Sequence, residues 1–178
     1  MMSSRGFFIV GIIGYIMLVV YHILWEVFNC YLLVADIVFL LIWLLLPLGT
    51  VLGSLTFFGL YREHDSRFSL VVFIISLIFP WVLASSILLG FFLLAYSPIT
   101  EILLIVGGLL IGVVYLLWGS VMLVLRKEFG QSEINLVAGI FFLLASPHFF
   151  AIYPFSSYYM IPACTAAIIS LFQSEAFK

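Results

Sequence analysis

Charge is what this chain has least of. Asp, Glu, Lys and Arg make up 8% of its 178 residues, against about 25% in soluble domains. Six Lys and Arg residues, scattered along the chain, form no basic tract, so no nucleic-acid partner is expected. Cysteine is almost absent as well. Cys30 and Cys164 are too few for a disulfide framework and match no metal spacing, so both read as isolated apolar fillers.

Catalytic motifs are missing too. There is no HExxH for a zinc protease and no G-x-S-x-G for a serine hydrolase, since Trp118-Gly119-Ser120 lacks the flanking glycines. A rhomboid-like serine motif with its helical His, the Arg and His that would serve a catalytic Cys164, a haem-binding His pair and an intramembrane Lys for a Schiff base are likewise not found. The expectation is a protein that is not an enzyme and holds neither metal nor cofactor.

What the chain has in abundance is apolar length. With 66% apolar residues, and about 20 needed per crossing, it is expected to be an all-α integral membrane bundle of six transmembrane helices. The approximate spans are 7–28, 37–60, 68–95, 102–125, 134–150 and 151–172, forming three consecutive helical hairpins in a single domain. The run after Arg5 continues through Trp25 with no small-residue cleavage site, so it reads as a retained first span. Pro147, Pro154 and Pro162 interrupt the last 45 residues, leaving two arrangements open: two full spans, or a broken or re-entrant segment with the C-terminus outside.

The six-span threading places Arg5, Arg62, Arg67, Arg126, Lys127 and Lys178 on one face, which the positive-inside rule makes cytoplasmic. Both termini then lie inside and the turns near Asn29, Ser97 and Tyr153 outside, as in a multi-pass protein of the cell membrane. Trp25, Tyr61, Tyr96, Tyr153, Tyr158 and Tyr159 fall at span ends, where aromatic belts form. Trp43, Trp81 and Trp118 sit deeper and are expected to pack between helices.

Helix contacts are expected at Gly49 and Gly53, and at Gly108, Gly112 and Gly119, because small residues four apart let backbones approach where lipid supplies no hydrophobic drive. On that reading the second and fourth spans lie in the bundle interior, or one of them meets a partner subunit. A faint repeat at a displacement of 66 aligns Gly53-Ser54 with Gly119-Ser120, which suggests parallel hairpin repeats. The bland alternative is coincidence in a reduced alphabet.

One polar cluster is a candidate ligand or proton-relay site near the outer face. With the first turn at Asn29 and Cys30, His22 and Asp36 come to similar depth on adjacent helices, and Glu26 lies one turn along the His22 face. Glu101 and His148 could join from other outer turns. Ionisable groups inside a membrane are costly and invite a functional reading; the plainer alternative is a His22–Asp36 pair that staples the first hairpin. The function expected is a structural or accessory subunit of a larger membrane complex, with the bilayer, other subunits or a second copy as partners. The alternative is a small-solute-binding or transport bundle, because six spans in so short a chain resemble in layout the S-components of energy-coupling transporters, a likeness of architecture alone.

Overall fold

The computed structural model describes residues 3–29, 36–93, 98–126, 132–150 and 156–173. They form six helices: α1 (Ser4–Asn29), α2 (Asp36–His64), α3 (Arg67–Leu93), α4 (Pro98–Val124), α5 (Ser132–Phe150) and α6 (Ser156–Gln173). Local chemistry marks several ends. Ser3 Oγ accepts the Gly6 amide at 3.3 Å, capping the start of α1. After α2, Asp65 takes a left-handed backbone (φ 51°), and Ser66 Oγ accepts the Ser69 amide to start α3. Pro147 leaves the Leu143 carbonyl without its helical donor, and the Ser146 hydroxyl supplies one at 3.0 Å.

Each helix packs antiparallel against its neighbours in sequence, and α6 returns to α1. The result is a closed ring. Arg5, Arg62, Arg67 and Arg126 all fall at one end of it, called here the basic end; the opposite end is the far end. Neither α2 nor α4 is enclosed by the others, as the glycine spacings had suggested: both are ring members on the same terms as the other four. The interior belongs to side chains instead.

Along α1 the division is plain. Phe8, Ile12, Tyr15, Leu18 and Tyr21 are buried, while Ile9, Ile13, Ile16, Val20, Ile23 and Val27 form an exposed aliphatic stripe. In water such a stripe would be costly. Among the described residues, four helices are long and apolar enough to cross a membrane, with spanning stretches at Ser4–Val27, Leu40–His64, Arg67–Leu89 and Ile105–Val124. The α5–α6 hairpin is shorter, at 19 and 18 residues against 26 to 29 for the other four helices.

Aromatic side chains meet in the middle of the ring. Trp118 of α4 stands at its centre, with ring centroids 5.3 to 5.5 Å from those of Tyr15, Phe57, Tyr115 and Phe142. Its indole N–H donates to Ser76 Oγ of α3 at 2.8 Å. One side chain therefore joins α1, α2, α3 and α5 to α4. Trp81, by contrast, is 54% exposed and faces outward, not between helices as its depth suggested.

Candidate functional site

The register of α1 against α2 decides which polar groups can meet. A Cβ added to Gly14 would collide with the Gly53 backbone, and Gly49 fits against Leu18, Gly11 against Thr56, and Gly59 against Phe8. These four pairs follow one antiparallel register, in which His22 stands opposite Leu45. Asp36 lies nine positions before Leu45 on α2, so it is about 13 Å nearer the far end than His22. His22 and Asp36 are not at one depth. The expected pairing assumed a turn at Asn29 and Cys30, whereas the α1–α2 connection occupies residues 30–35 and carries Asp36 past the end of α1.

One partner of His22 comes from the other side. Its Nδ1 hydrogen-bonds the Ser157 hydroxyl of α6 at 3.2 Å, the hydroxyl donating or accepting according to the imidazole tautomer. Both residues are buried. Tyr21 packs edge-on to the imidazole, and Trp25 stacks beyond Tyr21 and meets Trp43 of α2 edge-on at 5.1 Å. Glu26 lies one turn further along α1, half-buried, with its Oε1 shielded from solvent and making no hydrogen bond.

His148 and Glu101 lie on α5 and α4, and their side chains, like that of Asp36, fall outside the described residues. Helix positions still separate them. The Asn135–Ser170 pairing of α5 with α6 sets His148 level with Ser157, hence with His22. The Gly119–Gly139 contact of α4 with α5 sets His148 level with Leu110, nine positions from Glu101. Among the described residues no three His, Cys, Asp or Glu side chains come together as a metal would require.

Of the other glycines singled out, Gly119 meets the Gly139 carbonyl and Leu143 of α5. Gly112 is buried and Gly108 half-buried on α4, while Gly107 abuts Leu83 of α3. The 66-residue repeat does not carry into these contacts. A Cβ on Gly53 would meet Trp118 of α4 and then Tyr15 of α1, whereas one on its counterpart Gly119 would meet Gly139 and Leu143 of α5 and nothing on α3, which a duplicated hairpin would require.

Further polar groups complete the interior. Thr50 donates to the Leu46 carbonyl at 2.8 Å, so the Tyr115 hydroxyl donates to Thr50 Oγ1 at 3.0 Å. The Tyr15 hydroxyl and Thr56 Oγ1 approach each other without a hydrogen bond of ordinary geometry. Near the basic end Asn135 accepts from Ser170 at 2.6 Å and donates to the Arg126 carbonyl at 3.4 Å, tying α4, α5 and α6 together. Asn135 was not among the residues the sequence singled out. A lone carboxamide at the head of an apolar run was the available signal for an interhelical tie.

A second feature lies on the outer surface between α2 and α3. Leu44, Pro47, Leu48, Val51, Trp81, Ala84, Ser85 and Leu88 line an apolar groove of about 220 Å³. No family model, no curated protein and no solved structure matches this chain.

Proposed function

We propose that this protein crosses the cell membrane six times, with both termini cytoplasmic, and serves as a non-catalytic subunit of a larger membrane complex. The observation that carries the reading is the distribution of side chains. Aliphatic residues face outward, while aromatic rings and hydroxyls pack inward around Trp118. A bundle packed around Trp118 offers its outer surfaces, and the α2–α3 groove is one recess on them. The gathering of Arg5, Arg62, Arg67 and Arg126 at one end supports the orientation. At about 28 Å and about 27 Å, α5 and α6 are near the lower limit for crossing a hydrocarbon core of about 30 Å.

A second reading, a small-solute-binding bundle with an S-component-like layout, is favoured by one observation. Glu26 holds a shielded carboxylate oxygen without a hydrogen bond, one turn from the His22–Ser157 pair. Native mass spectrometry of gently extracted protein separates the readings: a subunit leaves the membrane with a stoichiometric polypeptide, a solute binder with a small molecule. Recovery of bare protein under conditions that keep known complexes intact would sink the subunit reading. Orientation is tested on a Cys-free version. A cysteine at position 65 should resist an impermeant thiol reagent applied from outside, and labelling there would overturn the topology.

A further inference from the structure

Five of the six seams of this ring join helices that follow one another in the chain, so a connecting segment holds each of them at one end. The seam between α1 and α6 joins the first helix to the last. No connection ties it, and side-chain contacts alone must keep it shut. One polar contact across it, His22 Nδ1 to Ser157 Oγ at 3.2 Å, sits toward the far end. Toward the basic end α6 is held from its other side, by the Ser170 hydroxyl on Asn135. Between the two lies Pro162, and Pro147 stands about one turn from the same level on α5, so both helices lack a backbone hydrogen bond there.

We propose that the α1–α6 seam is a lateral gate, latched at the far end by His22 and Ser157, with α6 swinging on its Asn135 tie at the basic end. Prolines about one turn apart in depth supply the bend, and the missing covalent connection makes this the seam that opens at lowest cost. Opening it exposes the ring interior beside Tyr15 to the surrounding medium. The inference does not depend on the subunit reading, because it concerns which seam parts and not what the bundle serves.

The chain carries its own reporter. Cys164 of α6 is free and fully buried, and the His22–Ser157 register sets it level with Tyr15 on α1. With Cys30 replaced by Ser, the rate at which N-ethylmaleimide labels Cys164 in detergent measures exposure of the interior. The gate predicts that Ser157→Ala and His22→Ala each raise that rate about threefold or more. Ser76→Ala, which removes the Trp118 hydrogen bond across the chain-connected α3–α4 seam, should change it less than about twofold. Labelling of the unsubstituted protein should proceed while far-UV helicity is fully retained. Equal acceleration by all three substitutions, no acceleration by either seam variant, or labelling only as helicity is lost would each overturn the gate. Ser157→Ala removes one hydroxyl and keeps the rest of the seam, so a failure of His22→Ala to fold leaves the test standing.

Discussion

Helix α2 has two sides that are built differently. Toward α1 it presents Gly49, Gly53 and Gly59, and α1 answers with Gly11 and Gly14, so that the two backbones touch at Gly14 and Gly53. Toward α3 it presents Leu44, Pro47, Leu48 and Val51, and Trp81 and Leu88 of α3 help leave a groove open to the outside. Both seams are apolar. What differs is residue size: helices surrounded by lipid gain from packing only where small side chains let them close. Apolar character alone leaves a gap.

The largest effect expected from this contrast is on the closed side. Gly14→Leu forces a side chain into the Gly53 backbone, which has no rotamer with which to yield, and should cost at least about 3 kcal/mol, at the upper end of overpacking penalties. Ser85→Leu enlarges a residue of the open groove by a similar volume and should move stability by less than about 0.5 kcal/mol, as surface changes do. Reversible unfolding in mixed micelles measures both, and equal costs would mean that the two seams do not differ.

A smaller effect sharpens the contrast within α2. Thr50→Val removes the acceptor of the Tyr115 hydroxyl and should cost about 0.6 to 1.7 kcal/mol, the range of membrane interhelical hydrogen bonds. Thr56→Val keeps the shape that fits against Gly11 and removes a hydroxyl with no well-formed bond, so its cost should stay under about 0.5 kcal/mol. A larger loss at Thr56 than at Thr50 would show that the Tyr15–Thr56 pair is the stronger of the two.

The smallest expected effect tests the register of the closed seam. His22→Gln should lower stability by about 0.6 kcal/mol through its contact with Ser157. Because Asp36 lies far from it along the helices, Asp36→Asn should add independently, with a coupling below about 0.5 kcal/mol. A coupling above that in a double-mutant cycle would restore the His22–Asp36 staple and shift the register toward a tighter first turn.

Much of the helix layout was legible because it rests on local quantities. Apolar run length, the Asp65-Ser66 break and the prolines act within a few residues of where they stand, and six helices with their basic residues at alternate turns follow from them. The candidate site was not legible in the same way. His22 was visible as a lone imidazole in an apolar run, but its partner lies 135 residues away on a helix that only ring closure brings alongside. Gly14 and Gly139 carried no spacing motif of their own and matter because of what faces them.

The sequence by itself determined that the chain is helical, apolar on its outward faces and basic at one end, since composition and periodicity dictate these whatever the packing. Only the tertiary structure decided that the helices close into a ring with Trp118 at its centre. It alone turned His22 toward Ser157 and Trp81 outward, and left the α1–α6 seam without a connecting segment. The physical reason is that a helix whose every face is apolar does not announce which face is buried. That choice is made by shape, by small residues meeting across a seam and by one donor finding one acceptor, and those matches exist only between segments distant in the chain.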